Sequence, residues 1–284
     1  MVIDVQILLY SIAFVALAVA SYHDWKTREV ADWLSYALLG SALGLRLLFS
    51  VDTWNWWILA EGIAGFTVFF LLGCLFYYSG QWGGGDSKLL MGVGAIIGFE
   101  LSFQTIPLVA LYFLFSLFAG AGYGLLWIIV LSIKHFSRVS KEFVKEYTPF
   151  RFYGRLLLIF SGALAVFSFY LPLELLPLSI AVAFFPSVGF HLWIFVRSVE
   201  KIAFYKRVLP VNLTEGDWIA DSIRVAGNVV VQAHGTGVTR EQIGLLKKLH
   251  ARGKVSTILI KEGIPFVPSF FFGFVCLLVY VYLI

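Results

Sequence analysis

Charge is what this 284-residue sequence has least of: Asp, Glu, Lys and Arg make up only 13% of it, against 60% hydrophobic residues. A soluble domain is about one-quarter charged, so too little polar surface is available here to cover a water-facing globule. Cysteine is scarce too. Cys74 and Cys276 both fall in apolar runs and neither is part of a CxxC pair, which excludes a structural zinc site of the usual kind and argues against a disulfide framework. The start lacks the basic residues of a secretory signal peptide, Asp4 being its only early charge. The first apolar run therefore reads as a retained helix.

What is present is a series of apolar segments. With a mean hydropathy of +0.88 and about 20 apolar residues needed per bilayer helix, eight segments stand out. They are roughly 4–23, 32–49, 54–78, 87–103, 104–133, 152–171, 173–197 and 266–284. The fourth is short for a full span, so seven crossings is the alternative count. Gly94/Gly98 and Gly120/Gly124 have the spacing that lets helix backbones approach closely in lipid.

Charge placement orients the chain. With residues 24–31 facing the cytoplasm, alternation puts 79–86, 134–151 and 198–265 on the same side. Nearly every Lys and Arg lies there, from Lys26, Arg28 and Lys88 to Lys134, Arg138, Lys141, Lys145, Arg151, Arg155 and Arg197, and on to Lys261. Arg46 alone lies toward the other face, near a helix end where it is expected to snorkel, and the short loops there carry Asp52, Glu100 and Glu174. This is the positive-inside asymmetry, and it places both termini outside. It also accounts for the net charge of +4 without a nucleic-acid partner.

The expected fold is an all-α polytopic membrane protein of about eight transmembrane helices with a small cytoplasmic α+β insertion before the last one. The domains follow: 1–197 transmembrane, 198–265 cytoplasmic, 266–284 a C-terminal membrane helix. Within the insertion, 222–232 and 255–261 are rich in β-branched residues, as strands are. Thr239 to Gln242 is a capping-box pattern opening a helix to about Ala251, with Gly253 as terminator.

Acids close to a bilayer are costly and need a reason. Asp24 ends the first apolar segment; Asp86 follows Gly83, Gly84 and Gly85 and opens the fourth. Tracing the crossings brings both to one membrane face at one depth, the placement an aspartic dyad requires. Two neighbouring carboxyls cannot both ionise readily, so they share a proton. The ionised one then takes a proton from water while the other donates to the scissile carbonyl. No metal or cofactor is called for. The glycines, lacking Cβ, let an extended substrate approach the loop. Taken singly, the glycine run is only a turn and Asp24 only a counter-charge to Lys26 and Arg28; together they point to catalysis.

Gly83-Gly84-Gly85-Asp86-Ser87-Lys88-Leu89 resembles the GxGDxKL motif of type IV prepilin and preflagellin peptidases. The stretch from Asp24 to Asp32 resembles the family's first-aspartate motif, and Lys261 to Pro268 is similar to a segment typical of its archaeal members. The resemblance implies an aspartic membrane endopeptidase with Asp24 and Asp86 as the catalytic pair, removing short basic leaders from prepilins or preflagellins at the cytoplasmic face. Its partners would be those substrates and the bilayer. The chain departs from bacterial members in lacking a cysteine cluster, so methyl transfer is not expected. Eight segments exceed the six helices common in the family, which makes 134–155 and its flanking helices a candidate insertion.

Other residues are weaker candidates. Lys88, two positions past Asp86, does not face it on a helix; it belongs to the loop set with the glycines, in a structural or phosphate-contacting role. Glu61 reads as a packing acid, His23 as interfacial, His191 as a packed hydrogen-bonded residue, and Asp217 and Asp221 as solvated. The alternative function is a proton-coupled transporter with Asp24, Glu61 and Asp86 as protonation sites. It requires acids near the midplane, whereas both aspartates stand at helix ends.

Overall fold

The computed structural model describes residues 5–100, 106–225, 227–232 and 237–283. Asp4, the junction of the fourth and fifth apolar segments at 101–105, Ala226 in the 222–232 stretch and residue 284 lie outside the described residues. Every apolar segment corresponds to a helix: α1 Val5–Thr27, α2 Asp32–Thr53, α3 Trp57–Tyr78, α4 Gly84–Ile97, α5 Leu108–Lys134, α7 Arg151–Ser168, α8 Leu176–Ala203 and α10 Val267–Leu283. Between α5 and α7 lies an amphipathic helix, α6, Phe136–Tyr147. Among the described residues, six stretches are long and apolar enough to cross a membrane, one of them running from Phe136 to Ser168; α10 is shorter, and α4 is not among the six.

The chain divides into two compact units. The first holds 1–125, 208–258 and 263–284. Its centre is α4, whose 14 residues extend only roughly 21 Å, less than a hydrocarbon core of about 30 Å. The sequence explains why so short a helix is stable: its apolar residues run all round it, and it is enclosed by α1, α2 and α3. Leu89, Leu90, Val93, Ala95 and Ile96 are fully buried. Glycine makes the enclosure possible. A Cβ on Gly65 of α3 would fall 2.2 Å from the Gly94 carbonyl oxygen, so the two backbones meet directly. Gly120 is likewise pressed against Phe266, whereas Gly124 has open space around it.

The far end of α4 is closed by an arginine. Arg46 is 1% exposed and donates from Nε to the Ala95 carbonyl at 2.9 Å, from Nη2 to Ile96 at 2.9 Å and from Nη1 to Ile58 at 2.8 Å. It also pairs with Glu61 at 3.7 Å. The expected snorkelling does not occur, because the last carbonyls of a helix lack intrahelical partners and offer the guanidinium a buried set of acceptors.

Large apolar side chains are exposed around α1–α3, among them Leu47, Leu48, Val51 and Leu71. Aromatic residues flank them, with Trp25, Trp33 and Tyr36 at one end of the bundle and Trp54, Trp56 and Trp57 at the other. That is the distribution expected of a lipid-facing band with interfacial belts.

Past the membrane helices the first unit contains the strands β2 Trp218–Ile219, β3 Ile223–Val225 and β4 Asn228–Val231 and the helix α9 Arg240–Ala251; β1 Tyr205–Val208 precedes them and β5 Ile258–Lys261 follows. β3 and β4 form an antiparallel hairpin with Arg224 opposite Val229. Thr239 caps α9 as its sequence dictates: its backbone N–H donates to Gln242 Oε1 at 3.0 Å, and its hydroxyl accepts from the Gln242 N–H at 3.3 Å. Gly253 follows the helix with φ +69°.

The second unit comprises 126–207 and 259–262. In it α6 and α8 are joined through Glu146, which accepts from Arg197 Nε at 3.0 Å and also pairs with Lys201. His191 Nδ1 lies 2.7 Å from the Ser187 carbonyl and its ring packs on Tyr147, as expected of a packed histidine.

Candidate active site

Asp24 occupies the last turn of α1. The helix stops just beyond it because Arg28 takes a left-handed conformation, φ 61°, unusual for a residue with a Cβ, while its N–H still bonds the Asp24 carbonyl at 2.8 Å. The Asp24 side chain is turned inward and the residue is only 5% exposed. Its Oδ2 accepts the backbone N–H of Val267 at 3.0 Å, the first residue of α10. Val267 and the residues before it belong to the Lys261–Pro268 segment.

Asp86 lies in the first turn of α4, where Oδ2 accepts the Gly83 N–H at 3.2 Å. Part of the residue remains accessible, yet the carboxyl is closely surrounded by protein. The negative charge of Asp24 acts on it, and two like charges so placed do not both ionise readily. The C-terminal end of α1 and the N-terminal end of α4 thus bring the two carboxylates within electrostatic reach.

The stretches around them dock as well. A Cβ on Gly85 would lie 2.9 Å from the Val30 Cβ, so this glycine lets α4 begin directly against the 24–32 stretch. Gly83 and Gly84 have only ordinary contacts at the corresponding positions. Lys88 points away from Asp86, as its spacing predicts, and forms a 2.7 Å ion pair with Asp32 while lying over the Tyr36 ring.

Three residues to which sequence reasoning gave no structural role here hold the surrounding stretches in place. Trp82 is buried beneath the glycine loop, stacked on Phe76 with ring centroids 4.4 Å apart and packed on Phe266 and Phe270, each at 5.4 Å. Trp82 thereby fixes Phe266, the residue beside Val267. Arg28 donates to the Gly263 carbonyl, holding the other end of that segment. The signal available was the apolar residues of Lys261–Pro268 and a tryptophan immediately before three glycines.

The other sequence candidates stand elsewhere. Glu61 faces Arg46 at the opposite end of α4. His23 and Asp221 are exposed. Asp217 accepts the Thr214 N–H at 2.8 Å, which closes a turn. Among the described residues, no group of three or more His, Cys, Asp or Glu is arranged to hold a metal ion.

Two neighbouring carboxylates, one buried and one partly accessible, at the rim of a helical bundle, have the makings of an acid–base pair for hydrolysis. Residues 11–130, which carry both of them, match the type IV leader peptidase family. The resemblance seen in the aspartate motifs is thereby shown. Over 90 residues the chain is 38% identical to the preflagellin peptidase of Methanococcus voltae and 37% identical to that of Methanocaldococcus jannaschii. Each alignment covers 31% of this chain and 37% of the relative. The chain thus matches little more than a third of the length of these relatives. A longer alignment, at 22% identity, joins 95% of the chain to 93% of the prepilin peptidase EppA of Methanothermobacter thermautotrophicus. No solved structure matches the chain.

Proposed function

We propose that this protein is an aspartic membrane endopeptidase that removes the short basic leader of type IV prepilins or preflagellins, with Asp24 and Asp86 as its catalytic pair. The observation that carries the reading is the convergence of two carboxylates at one end of the bundle, each within its own family-like motif, with Asp86 feeling the charge of Asp24.

In this mechanism the ionised carboxylate accepts a proton from water as the water oxygen bonds to the scissile carbonyl carbon. The protonated carboxyl meanwhile donates to the carbonyl oxygen. When the tetrahedral intermediate collapses, the C–N bond breaks, the nitrogen takes the proton held by the first carboxyl, and the second recovers its own. The pair ends as it began.

The charge asymmetry supports a cytoplasmic site with both termini outside. Alternation then gives eight crossings, with α4 the short inner one, and residues 198–265 form a small cytoplasmic domain. Gly83–Gly85 are the place where substrate approaches Asp86, and Lys88, tied to Asp32, steadies the loop behind it.

The test is co-expression with an archaeal prepilin and a preflagellin, following the substrate's size and the new N-terminus by mass spectrometry. Wild type is expected to shorten the substrate, and Asp24→Asn and Asp86→Asn each to lose about 1,000-fold or more, with no further loss in the double variant. Near-native processing by either variant, shown to be membrane-inserted, would refute the dyad.

A further inference from the structure

We infer that the Val267 amide, the first N–H of α10, is a positioning group that holds Asp24 as the ionised base of the pair and leaves the shared proton on Asp86. This rests on the aspartic-peptidase reading and adds the assignment of roles, which symmetry between two carboxyls does not supply.

The surroundings of the two acids differ. Asp24 is 5% exposed, and its Oδ2 accepts a buried N–H from a helix start 243 positions away. That N–H has no partner within its own helix and lies at the positive end of the helix dipole, where a negative charge is stabilised. Burial disfavours an ionised Asp24; against it act the Val267 amide and, one turn further along, the positive charge of Arg28. Its guanidinium is anchored on the Gly263 carbonyl, four residues before Val267. One short segment, 263–267, therefore fixes both the cation and the amide that favour the ionised form of Asp24. Trp82 and Phe270 hold its Phe266 from the other side.

Asp86 has less compensation. Its hydrogen bond comes from Gly83 at the start of its own helix, is longer at 3.2 Å, and lies on the exposed side. The charge that acts on it is that of Asp24, which favours a proton there. Lys88, the nearest cation in sequence, is committed to Asp32. Among the described residues, the charged or titratable groups that act on Asp24 are Arg28 just past the end of its own helix, Asp86 on α4 and Tyr123 on α5; α10 supplies the amide. Where two near carboxyls hold one proton, it resides on the less stabilised anion. Asp24 then takes the proton of the attacking water, and Asp86 donates to the carbonyl oxygen.

The experiment removes the N–H alone. Proline is accepted at the first position of a helix, so Val267→Pro deletes the donor while keeping the helix start. An ester in place of the 266–267 amide, made by incorporating the hydroxy acid analogue of valine, deletes it without changing the side chain. Val267→Ala shortens the side chain and keeps the donor. In nanodiscs with a prepilin substrate, the acid-side limb of the pH–rate profile should move up by about one pH unit in the proline and ester proteins. In the alanine protein it should stay in place. An unmoved limb in the ester protein, or an equal shift in the alanine protein, overturns the proposal. If the proline protein does not insert, the ester protein decides. Carboxyl titration of 13C-Asp-labelled protein by NMR, with Asp24 and Asp86 assigned from their Asn variants, gives the same decision without cleavage. Ionisation of Asp86 ahead of Asp24 refutes the assignment even in an active enzyme. Absence of prepilin cleavage by wild type would instead refute the functional reading, with the titration still judging the role of the amide.

Discussion

Arg46 Nε donates to the carbonyl of Ala95 at 2.9 Å, at the far end of the helix whose first turn carries Asp86. With Ile96 and Ile58 accepting from the same guanidinium, one side chain of α2 fastens the end of α4 and the start of α3. Hydrogen bonds to a charged group contribute about 1.5–3 kcal/mol each when buried.

Arg46→Ala leaves the Ala95 and Ile96 carbonyls without this donor and Glu61 without its partner. The expected loss is at least ~3 kcal/mol, read as a fall in the thermal unfolding midpoint in detergent. Arg46→Lys should be intermediate, since an ammonium lacks the planar fork that serves several acceptors. A midpoint unchanged by Arg46→Ala would show that the closure of α4 does not depend on this contact.

The glycines give a second contrast. A Cβ on Gly65 would meet the Gly94 oxygen at 2.2 Å and the Gly98 Cα at 2.9 Å, all backbone atoms that cannot swing aside. Gly65→Ala must therefore force α3 and α4 apart, at a cost of about 1–3 kcal/mol or more. Gly40 and Gly44 of α2 have nothing within 4 Å of the corresponding point, so alanine there should be neutral or stabilising by up to ~1 kcal/mol. Unfolding midpoints of the three single variants separate these outcomes. Equal effects at all three sites would contradict the packing.

The approach of Asp24 to Asp86 was legible in the sequence because each stands at a helix end, and helix alternation brings ends of matching parity to one side of a bundle. The capping box of α9 was legible because both of its bonds are made within four residues. Val267 was not, since it acts through a main-chain N–H that every residue except proline possesses. Arg46 was misread for a related reason: its acceptors are carbonyls of α4 and of the first turn of α3, and only the three-dimensional approach of α2, α3 and α4 reveals them. The eight apolar segments all correspond to helices, but α4 shows why apolar length alone does not count crossings. A short helix enclosed by protein need not match the bilayer by itself.

Topology can be tested through Asn212. Asn212-Leu213-Thr214 is a glycosylation sequon and Asn212 is exposed, so folding does not hide it. With 198–265 in the cytoplasm, it should remain unmodified in a glycosylating host, and Asn212→Cys should resist impermeant maleimide in intact cells and react after permeabilisation. Labelling of intact cells would place the candidate site on the opposite side from a cytoplasmic leader.

The pH dependence of processing follows from Asp86. Its carboxyl lies within reach of the charge of Asp24, and two such groups hold one proton between them. In the proposed mechanism the pair works with one proton and fails with none, because an ionised Asp86 has nothing to donate to the carbonyl oxygen. Single-turnover processing in proteoliposomes should therefore fall on the alkaline side as that proton is lost, approaching tenfold per pH unit. Substituting Asp32, whose pairing with Lys88 is surface-exposed, should leave the position of that limb unchanged, since exposed pairs contribute little. A rate that holds level to pH 9 would show that proton donation by Asp86 is not part of the reaction.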